Sequence, residues 1–240
     1  MAFAGTARSV ASCRIFPVDN PPQDSVRISR IGKKIIFPSA LLTMGLILNG
    51  SRAEKQFQTY VRNYTGDGFR VHVDDYLQYA PIVQIIASDI AGLRAKHHWF
   101  DQFKYLLISQ AVTVSITSGL KELYYKQRPD GMPHSFPSGH TSFAFVNAGV
   151  FRHEFESSAP VWAYSGYLMA LTTGPMRIAN NRHWVSDVLT AAGIAMLVTE
   201  FVYHIEPMKS WNPFVKTGHE VSLIPYSGNA GSGVWVVVRF

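Results

Sequence analysis

Charge is scarce in this chain of 240 residues: Asp, Glu, Lys and Arg make up only 16%, against roughly 25% in ordinary soluble domains. So few charges cannot coat a fully wetted surface. A single cysteine, Cys13, excludes an intramolecular disulfide framework and a cysteine-based zinc site. There is no internal repeat and no low-complexity run, and 13% aromatics with scattered Gly and Pro fit neither collagen, a long coiled coil nor wholesale disorder. Strand signals are missing until the C-terminus, where residues 221–224 and 234–239 flank Ser-Gly-Asn-Ala-Gly-Ser-Gly and predict a short β-hairpin. One hairpin cannot close a barrel. The charge that is present is unbalanced, with 22 Lys and Arg against 16 Asp and Glu. The excess favours an anionic partner such as a phosphate ester or acidic headgroup, and its dispersal along the chain argues against nucleic acid.

Apolar runs fill the middle of the chain. Residues 1–30 are polar and irregular and read as a flexible tail. A basic cluster (Arg27, Arg30, Lys33, Lys34) then precedes residues 35–51, which carry no charge. That run is either a signal peptide's apolar region or a first membrane helix; no small-x-small cleavage site follows, which favours the helix. Five more uncharged runs follow at 76–88, 105–120, 139–151, 157–176 and 188–199. Together they predict an all-α fold: a six-segment antiparallel helical bundle over 31–207, embedded in a membrane, with residues 208–240 as a tail bearing the hairpin. The runs are short for spanning helices, which want about 20 residues, so a soluble or peripheral bundle with apolar core helices is the alternative.

Three polar clusters interrupt this pattern, each at the end of a run. In KELYYKQRP, Lys121 and Arg128 are seven residues apart, two helical turns, which on a continuing helix aims both cations at one anion. Cations at a helix C-terminus also simply complement its dipole. In SFPSGHTS, Ser138 and Gly139 open a helix whose free N–H groups favour an anion; Ser138 is an N-cap, a phosphate ligand, or both, and His140 sits in the first turn. In RIANNRHWVSD, Arg177 precedes His183 and Asp187, which at a spacing of four share a helix face, so that the carboxylate can orient the ring. In an up-and-down bundle all three clusters fall at the same end. Two histidines, three cations, a hydroxyl and a helix N-terminus then surround one pocket suited to a phosphate and a phosphohistidine.

The patterns KxxxxxxRP, PSGH and RxxxxxHxxxD resemble the three-part motif of the type 2 phosphatidic acid phosphatase superfamily, shared with vanadium haloperoxidases. DDYLQYAP, RPDG and NNRHW further resemble a bacterial branch of lipid A phosphatase-like proteins. The resemblance implies His183 as nucleophile, Asp187 as the residue holding it, and His140 as general acid. It implies Lys121, Arg128, Ser138, the Gly139 N–H and Arg177 as phosphate ligands, with no metal and no cofactor.

The reading is a metal-independent phosphatase of a membrane lipid of the lipid A, undecaprenyl pyrophosphate or glycerophospholipid type. A vanadium-dependent haloperoxidase and a catalytically silent lipid-binding module are the alternatives. The positive-inside rule places the basic cluster in the cytoplasm and the catalytic end on the periplasmic side of a bacterial inner membrane. Arg182, His97, His98 and His134 are read as flanking, loop or interface residues, and Asp74 and Asp75 as an acidic helix start.

Overall fold

The computed structural model describes residues 23–205, 220–228 and 231–239. The chain divides into two units, Met1–Lys33 and Lys34–Phe240. The first contributes the opening of helix α1; the second holds the packed helices. The described helices are α1 (Gln23–Leu48), α2 (Arg52–Thr65), α3 (Val73–Leu77), α4 (Ala80–Ile90), α5 (Trp99–Tyr124), α6 (Gly139–Phe155), α7 (Pro160–Ala179) and α8 (Val185–His204). Helix α1 already starts at Gln23, inside the stretch expected to be an irregular tail, directly after Pro21 and Pro22. The rest of that expected tail, and residues 206–219, lie outside the described residues.

All six apolar runs are helical, and two further helices join them. Helix α2 buries polar residues, Glu54 and Gln58, while Phe57, Tyr60 and Tyr64, at helical spacing, stay exposed. Its start is marked by reciprocal capping, with Ser51 Oγ accepting from Glu54 N at 3.1 Å and Glu54 Oε2 accepting from Gly50 N at 2.7 Å. Gly50, at φ 74°, supplies the left-handed turn that throws α2 at 93° to the preceding helix.

Helix α6 is the axis of the bundle. Nearly every residue from Thr141 to Phe155 is buried, and α4, α5, α7 and α8 pack around it. Fully buried Phe151 and Phe155 each contribute about 1.5–3 kcal/mol by leaving water. Small residues let the neighbours come close: Ala144 and Ala148 on α6 and Ala191, Ala192 and Ala195 on α8 are all buried. On the outer side of α8, a methyl group at Gly193 would lie 2.6 Å from Leu42 N and 2.8 Å from Pro38 O, so the α1 backbone rests directly on that glycine. Near the C-terminus, Glu220–Gly228 (β1) and Gly231–Arg239 (β2) pair antiparallel, with Glu220 opposite Arg239 and Gly228 opposite Gly231.

Among the described residues, α8 is the one helix long and apolar enough by itself to cross a membrane. Residues from Lys34 in α1 pass the same measure only when joined to α2 as a bent pair. Gly193→Ala should force α1 off α8 and lower unfolding stability by about 1–3 kcal/mol, the usual effect of overpacking. Thermal unfolding of the purified variant measures this, and an unchanged Tm would contradict the close approach.

Candidate active site

The first cluster does not stay on one helix. Tyr125 adopts a left-handed conformation (φ 42°) and donates its N–H to Lys121 O at 3.1 Å, which stops α5 at Tyr124. Lys121 therefore occupies the last turn while Arg128 lies in the following loop, correcting the expectation of a shared helix face. That loop folds back on itself through Ser135 N to Lys126 O at 2.8 Å and Arg128 N to Met132 O at 2.7 Å. Lys121 Nζ then donates to His134 O at 3.0 Å and Pro137 O at 2.6 Å, fastening the first cluster to the second.

Ser138 caps α6 by accepting from Thr141 N at 3.4 Å and from the Thr141 hydroxyl at 2.9 Å. Its own N–H donates to Asp187 O at 3.1 Å, fastening the second cluster to the third. Gly139 and His140 occupy the first turn of α6, where backbone N–H groups have no partner within the helix. Arg177 sits in the last turn of α7, and its carbonyl receives Arg182 N at 3.0 Å and His183 N at 3.3 Å.

His183 precedes α8, whereas Asp187 lies in that helix's first turn and accepts from Trp184 N at 2.9 Å. The two do not share a helix as expected. The nearest acceptor for His183 Nδ1 is the Ser135 carbonyl at 2.8 Å, with Asp187 Oδ2 at 3.5 Å. The outcome for the ring is unchanged: a proton on Nδ1 is held from behind, leaving a lone pair on Nε2. Nε2 makes no hydrogen bond among the described residues, and His183 as a residue is only 2% exposed.

Asp187 is fully buried and carries most of the wiring. Besides Trp184 N, it accepts from Ser135 Oγ and from Lys126 Nζ at 3.0 Å. Lys126 also reaches Ser186 Oγ at 2.8 Å and Glu54 Oε1 at 2.7 Å, and Ser186 Oγ donates to the same carboxylate. Helix α2 is thereby tied to the third cluster.

A cavity of about 480 Å³ has His140, Arg177, Asp75, His72, Arg62 and Arg182 in its wall; of the expected site residues, His140 and Arg177 line it, whereas His183, Asp187, Lys121, Arg128, Ser138 and Gly139 do not. Arg177 Nη1 is paired with buried Asp74 at 2.7 Å, and His140 Nε2 lies 3.0 Å from Asp75 Oδ1. The acidic pair on α3 is therefore part of the site and more than a helix start. Arg128 Nε and Arg177 Nε are buried with no acceptor among the described residues. Two cationic donors left unsatisfied are costly unless a ligand completes them. Arg182 reaches Asp130 at 3.2 Å on the surface, in keeping with a flanking residue.

Sequence reasoning takes Asp74 and Asp75 for a helix start and does not single out Lys126, Glu54 or Ser135. Lys126 and Ser135 stand inside the motif stretches, but only their contacts, made across the fold, reveal them.

A profile of the PAP2 superfamily matches residues 102–211. The Lipid A 1-phosphatase of Porphyromonas gingivalis is 34% identical over 166 residues, covering 67% of this chain and 36% of that protein. The chain thus spans about a third of the length of this relative. The crystal structure described as the first transmembrane PAP2 type phosphatidylglycerolphosphate phosphatase, from Bacillus subtilis, aligns with TM-score 0.51 at 18% identity, over 74% of this chain and 98% of that one. The chain belongs to the PAP2 superfamily, whose profile covers the stretch that carries all three clusters.

Burial, with the Arg128 charge adding to it against the opposing pull of Asp187, lowers the Lys121 pKa to about 8. Burial likewise lowers His183 to about 4 although Asp187 opposes it, so His183 is neutral at physiological pH. Lys121 is a cation below its pKa and neutral above it, so anion binding should weaken as pH rises through about 8. Sulfate, whose charge is constant over this range, is the probe; titration calorimetry should show the step in the native protein and lose it in Lys121→Gln. Affinity flat to pH 10 in the native protein would contradict the assignment. Lys126→Met leaves two buried carboxylates uncompensated and should cost about 3–5 kcal/mol of stability, read by denaturant unfolding. A loss within experimental error would show that the pair is not held by that lysine.

Proposed function

We propose that the chain is a phosphatase that removes phosphate from a membrane lipid through a phosphohistidine intermediate. One observation carries the reading: two unsatisfied, buried guanidinium nitrogens, Arg128 Nε and Arg177 Nε, occur in a site that also holds a neutral histidine with a free Nε2 and a second histidine on the cavity wall. That combination suits an oxyanion whose charge grows as phosphorus becomes five-coordinate.

His183 Nε2 attacks phosphorus, forming an N–P bond as the P–O bond to the lipid breaks. His140 gives its proton to the leaving oxygen, then takes one from the water that attacks phosphorus, and the N–P bond breaks to release phosphate. Lys121, Arg128, Arg177, Ser138 and the Gly139 N–H hold the equatorial oxygens. Asp187 acts from behind, fixing the Ser135 turn against which His183 is set. No step calls on a metal.

A bilayer setting is supported by helix α8 and by large apolar side chains exposed on several helices, including Ile47, Val83, Ile86, Leu107, Leu168 and Phe201. Soluble monomers rarely expose apolar surface on this scale. Helix α2, turned at right angles and carrying exposed Phe57, Tyr60 and Tyr64, suits the plane of the interface. The basic cluster before residue 35 argues for a cytoplasmic start and a catalytic end facing the periplasm of an inner membrane. The name of the Porphyromonas relative makes a lipid A-type phosphate the first substrate to try, beside undecaprenyl pyrophosphate, phosphatidylglycerol phosphate and phosphatidate.

Phosphate release from these lipids by purified protein, with EDTA present, is the test. His183→Ala should lose activity at least about 10³-fold while its unfolding midpoint stays put. Equal turnover by the variant would remove His183 as nucleophile, and dependence on added divalent metal would contradict the mechanism.

A further inference from the structure

A carboxylate on the wall of an anion-binding cavity works against the ligand through like-charge repulsion, so its presence calls for a compensating role. Two adjacent carboxylates stand here, and they divide the work. Asp74 is 1% exposed and holds Arg177 Nη1 at 2.7 Å and Asn180 Nδ2 at 3.1 Å, so it pins the guanidinium that faces the phosphate. Asp75 stands at the cavity, 3.4 Å from Arg177 Nη1 and 3.0 Å from His140 Nε2, with His72 Nδ1 at 3.3 Å from its other oxygen. Asp74 already secures Arg177; the short contact that only Asp75 makes is to His140.

We infer that Asp75 is a positioning residue for the general acid: it grips His140 through Nε2–H and favours the doubly protonated imidazole, so that the proton on Nδ1 is the one transferred. The inference rests on the phosphatase reading for its link to catalysis. When the leaving oxygen takes the Nδ1 proton, the ring becomes neutral and still donates Nε2–H to Asp75. When water attacks the phosphohistidine, Nδ1 takes the proton back, and the starting state is restored. The ring does not turn over during the cycle, because Nε2 is tethered throughout.

Burial and the Arg177 charge on α7 disfavour the imidazolium and hold the His140 pKa below the usual histidine value, against the pull of Asp75 and Asp74 on α3, and His72 contacts Asp75 on the side away from the ring. Asp75 is suited to stay ionised: burial pushes its pKa up, but the His72 hydrogen bond and the His140 and Arg177 charges outweigh that and hold it below the usual carboxylate value. Without Asp75, the fully paired Asp74 is left to oppose the Arg177 charge.

The experiment compares native protein with Asp75→Asn and Asp75→Glu, using an alkyl phosphate lipid, whose leaving oxygen needs a proton, and p-nitrophenyl phosphate, whose leaving group does not. In Asp75→Asn the alkaline limb of kcat/KM for the lipid should move down by about one pH unit, with about a tenfold loss at neutral pH. The aryl phosphate should lose far less, and Asp75→Glu should recover the lipid activity. Equal losses on both substrates with an unmoved pH profile would make Asp75 a structural residue and overturn the inference. A second readout needs no turnover: the His140 imidazole, assigned by its loss in His140→Gln, is titrated by NMR in the native protein and in Asp75→Asn. Its midpoint should fall in the variant, and an unchanged midpoint would overturn the inference. If the native protein releases no phosphate from either substrate, the phosphatase reading fails, and the titration still decides whether Asp75 holds the proton on His140.

Discussion

The buried carboxylate of Asp187 is the constraint on which the rest of the site depends. An ionised group with no exposure must be surrounded by donors, and here they come from three separate stretches: Ser135 Oγ, Lys126 Nζ and Trp184 N. The same residue's backbone carbonyl takes the N–H of Ser138, the residue that opens α6. Satisfying one charge thus brings together the loop after α5, the start of α6 and the start of α8. His183 is set into the resulting frame, with the Ser135 carbonyl fixing its ring from behind.

The frame is rigid behind the histidine and unfinished in front of it. Lys121 is committed to two backbone carbonyls, and Arg177 is clamped by Asp74. Yet Arg128 and Arg177 each keep a buried nitrogen without a partner among the described residues. Donors held in place before the ligand arrives need no reorganisation when charge develops on it, which is how electrostatic preorganisation lowers a barrier. The right-angle turn at Gly50 serves the same end from the other side: it lays α2 across the site so that Glu54 can share Lys126 with Asp187.

Much of this could be read from the chain because the chemistry needs particular residue types at short spacings. The runs that became α1 and α4 to α8 stand out by their lack of charge, and Ser138 as a helix cap follows from its place before Gly139. Local backbone events were less visible. Nothing in KELYYKQRP marks Tyr125 as left-handed, yet that single residue takes Arg128 off the helix. Helix α2 escaped notice because the side chains it buries, Glu54 and Gln58, are polar, and Arg52, Glu54, Lys55 and Arg62 break up any uncharged run. The contacts of Asp75 with His140, Lys126 with Asp187 and Glu54 with Ser186 join residues 65, 61 and 132 positions apart. Such pairs emerge only when helices are assembled, which is why two acids at the start of α3 looked like ordinary capping charges.

The most direct measurement is an experimental structure with orthovanadate, which adopts the trigonal bipyramid of phosphoryl transfer. The account predicts vanadium bonded to His183 Nε2, its equatorial oxygens on Arg128, Arg177 and the first turn of α6, and its far apical oxygen facing His140. Vanadate bound elsewhere on the cavity wall, such as at Arg62 and Arg182, with His183 Nε2 left untouched, would contradict it.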